Sequence, residues 1–184
     1  MLDAATAQDW DVTVIPLGVT LDGESFDDGE TLTTDDYYRR VAEGSPVVTT
    51  SQPSPGRFLQ AYEKLVADGA TEIHSVHVGA KYSGTLNSAR IAAAEVSVPV
   101  HLYDSTTSSY GVAIALDCVI ESVRAGASLP ATRRAVTARV EELRTCFYMD
   151  RVEVSARGVE TVPSMNEDPR LQTIWTIKAN QLLS

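Results

Sequence analysis

The sequence has 184 residues, of which 43% are hydrophobic and 22% are charged, and its formal net charge is −10. This length is typical of one ordinary domain core, and the acidic balance without a basic run argues against the concentrated cationic face that nucleic-acid binding needs. The apolar stretches are shorter than the roughly 20 residues that span a bilayer, and the start lacks a signal-peptide pattern, so we expect a cytoplasmic protein without membrane insertion.

The first predicted strand is followed by an acidic loop and a short helix. Residues 12–21 are β-branched and apolar, which predicts a strand after a short leading segment. The seven carboxylates between positions 22 and 36 are expected to form a solvated loop, because a carboxylate-only metal site needs a recognisable loop pattern. Thr33 and Asp36 have the spacing of a capping box, and the helix that they start is expected to end at Gly44.

A brief extended run at 46–49 leads into a second predicted helix. Ser54 followed by Pro55 has the order of an N-cap and a first helical position. Apolar residues then recur at helical spacing, and Gly69 is expected to end this helix.

The alternation of strand and helix continues to about residue 150. Residues 73–78 and 98–103 predict two strands, and each is followed by a helix-like stretch. The first of these helices is rich in alanine, and its small side chains favour close packing on a sheet. Gly126 ends the second helix, Ser128 caps a further helix, and an extended run follows at 146–149.

Strands that alternate with helices predict an α/β fold, with an open, mostly parallel sheet flanked by helices and right-handed crossovers. We expect one such lobe over residues 1–150. Residues 151–184 contain one plausible apolar stretch, at 171–177, and no clear helical period, so we expect a divergent tail. Cys118 and Cys146 form no closely spaced metal or redox motif and are expected to be small buried side chains.

Three hydroxyl-rich segments each follow a strand-like run and open onto a helix-like stretch, at 49–54, 81–85 and 104–109. In an open α/β sheet such turns gather at the carboxyl ends of the strands, where helix N-termini leave unpaired N–H donors. Hydroxyl and amide donors suit a carboxylate or a phosphate. The alternative is that these serines and threonines only cap helices.

The motifs of several enzyme classes are absent from the sequence. The P-loop pattern and the Gly-x-Gly-x-x-Gly fingerprint do not occur. The three histidines, His74, His77 and His101, all lie in strand-like runs, and the first two point to opposite faces, so they cannot jointly bind one metal ion without a bulge. We therefore predict a binding site without a cofactor or metal, and not an enzyme.

Four segments in register resemble the DegV family of bacterial fatty-acid-binding proteins. They are Leu-Asp-Gly-Glu-Ser at 21–25 with its acidic stretch and Tyr-Tyr helix, Thr-Thr-Ser-Gln-Pro-Ser-Pro at 49–55, Lys-Tyr-Ser-Gly-Thr at 81–85 and Tyr-Asp-Ser at 103–105. The likeness covers roughly residues 10–150. Thr-Ser-Gln-Pro-Ser with Ser-Gly-Thr about thirty residues later is a specific combination.

The resemblance implies a carrier that encloses one long-chain fatty acid between two domains. Such a carrier presents the fatty acid to a fatty-acid kinase, which makes an acyl phosphate for phospholipid synthesis. By their place in the motifs, Thr50 and Ser83 are expected to bind the carboxylate, with Ser51, Gly84 and Thr85 as supporting turn residues.

The sequence also departs from the family pattern at both ends. It lacks the family's first strand with Asp-Ser-Thr-Ala-Asp, and the segment at 154–159 keeps only Arg157 and Gly158 of a longer motif. Tyr82 stands where the family usually has leucine. Ile-Lys-Ala at 177–179 resembles the family's Ile-Lys-Pro crossover, so we expect residues 151–184 to be a stub leading to a largely missing second lobe.

Two alternative functions remain open from the sequence. One is a truncated DegV fragment that folds without binding lipid. The other is a hydrolase that acts on a phosphate or acyl ester through a turn hydroxyl such as that of Ser83.

Overall fold

The computed structural model of the protein describes residues 4–44, 47–148 and 174–178. The helices are α1 (Ala4–Trp10), α2 (Thr34–Glu43), α3 (Pro55–Ala67), α4 (Thr85–Ala93), α5 (Tyr110–Arg124) and α6 (Leu129–Glu142). The strands are β1 (Gly18–Leu21), β2 (Glu24–Asp27), β3 (Val48–Ser51), β4 (Ile73–His77), β5 (Val100–Asp104), β6 (Arg144–Tyr148) and β7 (Ile174–Lys178). None of the described helices is long and apolar enough to cross a membrane.

The first sheet is antiparallel and has the strand order β2-β1-β3. β1 and β2 are joined at Asp22 and Gly23, whose φ angles of 49° and 88° are the left-handed values that two-residue hairpin turns require. The strand predicted at 12–21 is longer than β1, because residues 12–17 have no regular structure. Pro16 has no N–H to donate to a ladder, which explains why the strand begins only after it.

β4 and β5 form a parallel pair that is covered by helices on both faces. α3 and α4 pack on one face, around Phe58 and Tyr62. α5 and α6 pack on the other face, around Tyr103 and Cys118, whose predicted burial is confirmed. The α/β fold class is therefore confirmed, but the parallel sheet is smaller than the sequence predicts. Among the described strands, only β4 and β5 are parallel, because β1 pairs antiparallel with both β2 and β3.

Two helix starts that the sequence predicts are confirmed by side-chain hydrogen bonds. The Thr33 hydroxyl accepts from the backbone N–H of Asp36 at 3.1 Å and donates to its carboxylate at 2.9 Å. The Ser54 hydroxyl accepts from the N–H of Arg57 at 3.3 Å at the start of α3. Ser128 occupies the N-cap position of α6 without a side-chain capping bond.

β6 and β7 pair antiparallel in a sheet of their own. They overlap the extended run predicted at 146–149 and the apolar stretch at 171–177. The lobe boundary predicted at residue 150, the segment at 154–159 and the Cys146 side chain lie outside the described residues.

The loops that follow β4 and β5 are held together by backbone and carboxylate hydrogen bonds. The N–H of Gly79 donates to the carbonyl of Thr107 at 2.8 Å. The Asp104 carboxylate accepts from the N–H of Ala80 at 3.2 Å and from the N–H of Thr106 at 2.8 Å. A Cβ on Gly79 would lie 2.8 Å from the Thr106 carbonyl carbon, so only glycine allows this approach.

A chain of polar side chains crosses the core between α3 and β4. The Tyr62 hydroxyl donates to Ser75 Oγ at 2.8 Å, and Ser75 Oγ lies 2.9 Å from His77 Nε2. His77 also packs against the Phe58 ring, with 5.5 Å between the ring centroids. Burial lowers the pKa of His77 to about 4, and the nearby Asp104 carboxylate opposes this shift.

We expect Gly79→Ala to lower the free energy of unfolding by about 1–3 kcal/mol, because the new methyl group displaces the backbone of the neighbouring loop. Gly56→Ala is the matched control, since a Cβ there meets only Ser54 Oγ at 3.8 Å on α3. This control should raise stability by about 0.4–1 kcal/mol. Urea unfolding measures both variants, and equal effects would contradict the close approach of the two loops.

We expect the free energy of unfolding to fall as the pH drops from about 6.5 towards 4. The unfolded state takes up a proton on His77 in this range and the folded state does not, so stability rises with pH. The shift corresponds to roughly 3 kcal/mol when complete. Urea unfolding at several pH values should show a shallower slope for His77→Gln than for the wild type. Parallel curves would mean that His77 titrates normally in the folded protein.

Candidate functional site

Thr50 and Ser51 lie within β3 and not in a turn after it. Thr50 pairs with Val19 across the antiparallel ladder, and its side chain is exposed. Within the described residues the Thr50 hydroxyl has no hydrogen-bond partner, so it retains one donor and two acceptor positions. Ser51 packs so closely on Gly18 that a Cβ there would collide with the Ser51 hydroxyl.

Ser83 lies in the loop that leads into α4, and its hydroxyl bonds to the first residue of that helix. Ser83 Oγ accepts from the N–H of Thr85 at 3.2 Å and lies 2.7 Å from Thr85 Oγ1. The N-cap residue of α4 is Gly84, without a side-chain capping bond, so Ser83 contacts the first helical residue from one position before the cap. A serine hydroxyl offers one donor and two acceptor positions, so Ser83 can still donate its proton if the two groups of Thr85 both donate to it.

Gln52 links the loop after β3 to the start of α4. Its side-chain amide donates to Ser88 Oγ at 3.0 Å, and Ser88 is buried in α4. The same amide group packs on Gly84, where an added Cβ would lie 2.9 Å from Gln52 Cδ. The segment that contains Thr50 thus adjoins the segment that contains Ser83. The sequence motif includes Gln52, but sequence reasoning gave it no role, because its partner is 36 residues away.

The third hydroxyl-rich loop uses its side chains to shape itself. Ser105 and Thr107 are buried. The Ser105 hydroxyl donates to the carbonyl of Thr107 at 3.3 Å and lies 3.4 Å from its N–H. The Ser105 hydroxyl is therefore directed into its own loop.

Two hydroxyls in these loops are buried without a hydrogen-bond partner among the described residues. They are Tyr82 Oη, next to Ser83, and Thr106 Oγ1, in the loop after β5. A buried polar group without a partner costs about 1–3 kcal/mol. The Lys81 ammonium group lies 5.0 Å from the centroid of the Tyr82 ring and brings a positive charge to this end of the strands.

A groove of about 240 Å³ runs between β5 and α6. Its lining includes Tyr103 and Val136, reaches Asp104 and Thr106 at the loop after β5, and contains neither Thr50 nor Ser83. The alanines of α4, Ala89 and Ala92, are fully buried against α3 and β4, so they belong to the core.

The histidines contact different layers of the fold. His77 bonds to Ser75 on the α3 side of β4, whereas His74 bonds to the Tyr103 hydroxyl on the opposite face. The prediction that His74 and His77 point apart is confirmed. Ser83 Oγ contacts Thr85, and among the described residues no histidine bonds to it. The arrangement of a serine nucleophile with its base is therefore not formed at Ser83.

Relatives of known sequence match more than half of the chain. A DegV domain-containing protein of Deinococcus radiodurans is 38% identical over 119 residues, which are 65% of this chain and 42% of the relative. A DegV domain-containing protein of Listeria innocua is 40% identical over 98 residues, which are 53% of this chain and 35% of the relative. The chain thus matches less than half the length of these curated relatives.

Solved structures share the fold. A DegV family protein of Thermus thermophilus, described by its fatty acid binding, has a TM-score of 0.70 and 31% identity, covering 79% of this chain and 51% of that protein. A DegV lipid-binding protein of Thermotoga maritima has a TM-score of 0.70 and 26% identity, covering 78% and 52%. A model of the DegV family, described as uncharacterised proteins, matches residues 1–158. Because this match covers most of the sequence, the chain belongs to the DegV family.

Proposed function

We propose that the chain binds a long-chain fatty acid and holds its carboxylate with the hydroxyls of Thr50 and Ser83. Ser51, Gly84 and Thr85 support the two segments that present these hydroxyls. The observation that carries the proposal is the contact of Gln52 with Gly84 and Ser88, which brings the two segments together. Structural relatives that are described by fatty acid binding and by lipid binding support the choice of ligand.

The donor chemistry of the two segments suits a carboxylate head group. When the N–H and the hydroxyl of Thr85 both donate to Ser83 Oγ, the Ser83 proton is directed to an external acceptor. Thr50 supplies a second hydroxyl donor. Hydrogen bonds to an ionised carboxylate are about twice as strong as those between neutral groups. The buried hydroxyls of Tyr82 and Thr106 lie in the adjoining loops and are further candidates to donate to the head group.

We further propose that the protein acts as a carrier in the cytoplasm and not as an enzyme. In this role it presents the carboxylate to a fatty-acid kinase, which forms an acyl phosphate for phospholipid synthesis. The exposure of Thr50 favours this role, because a head group bound there stays within reach of a phosphoryl donor. The contact of Ser83 with Thr85 also favours carriage over nucleophilic catalysis.

The acyl tail needs an apolar cover that residues 1–150 supply in part. The chain covers about half the length of the solved relatives that it matches. Acyl surface that stays in water costs roughly 25 cal/mol per Å². We therefore propose that residues 1–150 form the head-group lobe and that residues 151–184 form the start of the crossover to a second lobe.

We expect Thr50→Ala and Ser83→Ala each to weaken oleate binding by about 0.5–1.5 kcal/mol, or roughly twofold to twelvefold in Kd. Each variant removes one hydrogen bond to the carboxylate. Thr137→Ala is the control, because the Thr137 hydroxyl bonds to the Arg133 carbonyl within α6. Isothermal titration with oleate below its micelle concentration gives the affinities, and urea unfolding separates binding from helix capping.

Two outcomes of that experiment would contradict the proposal. Lower stability of Ser83→Ala with unchanged affinity would show that the hydroxyl only caps α4. A wild-type melting temperature that neither oleate nor palmitate raises would favour a fragment that folds without binding lipid.

We expect Gln52→Ala to weaken oleate binding, although Gln52 is not expected to touch the ligand. The variant removes the bond to Ser88 and lets the β3 loop move away from α4. Stability should fall by about 1 kcal/mol, because the buried Ser88 hydroxyl loses a partner. The double variant with Ser88→Ala should lose little more in either measurement. Additive losses would show that the two side chains act independently.

A further inference from the structure

Glu72, His74 and His101 form a cluster at the amino ends of β4 and β5, at the opposite end of these strands from Ser83. His101 Nε2 lies 3.1 Å from one Glu72 carboxylate oxygen, and His74 Nε2 lies 3.7 Å from the other. The two imidazole rings are in contact, with 4.9 Å between their centroids. One ligand atom from each of the three residues lies within 4.8 Å of the other two.

The strand register brings these three residues together. His74 and His101 are partners in the parallel ladder, so their side chains project from the same face of the sheet. Glu72 precedes His74 by two residues, immediately before β4, and its carboxylate reaches both rings. Backbone pairing therefore fixes the two histidines of the cluster relative to each other.

The geometry points to a binding site for one Zn²⁺ ion, with His74 Nε2, His101 Nε2 and a Glu72 oxygen as its three protein ligands. Two imidazoles and one carboxylate are a known donor set for zinc sites that leave a fourth position open. Ligands of a tetrahedral zinc ion with bonds of about 2.1 Å lie about 3.4 Å apart. His101 Nε2 lies 3.1 Å from one Glu72 oxygen and His74 Nε2 lies 3.7 Å from the other, so each imidazole has a carboxylate oxygen at close to this separation. Magnesium and calcium prefer oxygen ligands and fit this donor set poorly.

The ring orientation of His74 is fixed by a neighbour in the way that zinc ligands require. His74 Nδ1 lies 2.8 Å from the Tyr103 hydroxyl, and the two rings stack with an interplanar angle of 17°. When Nδ1–H donates to this hydroxyl, the lone pair of Nε2 faces Glu72. A partner on the second ring nitrogen is a regular feature of metal-bound histidines. Arg133 lies 5.2 Å from the centroid of the Tyr103 ring and holds it against His74.

The burial pattern allows an ion to enter and leaves room for a solvent ligand. The side chains of His74 and His101 are 16% and 15% exposed, whereas that of Glu72 is 54% exposed. A bound ion would join β4 to β5 at the end opposite the hydroxyl-rich loops. An ion that binds only the folded state raises its stability. This inference does not depend on the proposed fatty-acid site.

The test is zinc and cobalt binding to the full chain without an affinity tag. We expect one Zn²⁺ per chain by isothermal titration, a melting temperature that rises with added Zn²⁺, and the intense visible absorption of tetrahedral Co²⁺. Glu72→Gln, His74→Gln and His101→Gln should each weaken zinc binding by about 100-fold, and Tyr103→Phe by about tenfold. Glu142→Gln, which changes an exposed carboxylate on α6, is the matched control and should leave binding unchanged.

Two results would overturn the site. The first is zinc binding that persists at wild-type strength in His74→Gln or His101→Gln. The second is wild-type binding no stronger than that of the double variant that carries both changes. Glu72→Gln keeps the inference testable if a histidine variant fails to fold, because Glu72 is largely exposed and its replacement keeps the side-chain shape. Binding that survives this substitution would exclude the carboxylate as a ligand.

Discussion

The close contact of the loops after β4 and β5 is the constraint on which the proposed site depends. Gly79 lies against the backbone of the next loop, and its N–H bonds to Thr107. The Asp104 carboxylate accepts hydrogen bonds from backbone N–H groups of both loops. These bonds fix the backbone that leads into Ser83 and α4. Gln52 then holds the loop after β3 against that helix, so all three hydroxyl-rich segments gather at one end of the parallel strands.

The two ends of the β4 and β5 pair differ in chemistry. The carboxyl ends carry hydroxyls, backbone amides and Lys81, which suit an anion. The amino ends carry two imidazoles and the Glu72 carboxylate, which suit a divalent cation. The buried chain from Tyr62 to His77 lies between them on the α3 face, with each polar group paired. The same short parallel pair therefore provides a rigid frame for the two separate sites that we propose.

Local signals in the sequence predicted local structure well. The caps at Thr33 and Ser54 rest on side-chain bonds to a residue three positions later, so a short segment contains all the information needed. The α/β alternation follows from apolar periodicity in the same way. Pro16 shows the limit of predicting a strand from composition. Its missing backbone N–H outweighs the preference of the β-branched residues around it for a strand.

Long-range pairing could not be predicted from the sequence. The antiparallel pairing of β1 with β3 and the contact of Gln52 with Ser88 join segments far apart in the chain. The pairing of His74 with His101 likewise depends on the register between two strands. The spacing of residues within one strand does not reveal this register. The choice of Thr50 and Ser83 came from a family motif and not from physical patterning, and it remains a prediction.

The most direct test of the account is a crystal structure of this chain with palmitate. The account predicts that the palmitate carboxylate lies within hydrogen-bond distance of both Thr50 Oγ1 and Ser83 Oγ, with Gln52 still bonded to Ser88. A head group bound elsewhere, or bound by only one of the two hydroxyls while the other points away, would contradict it.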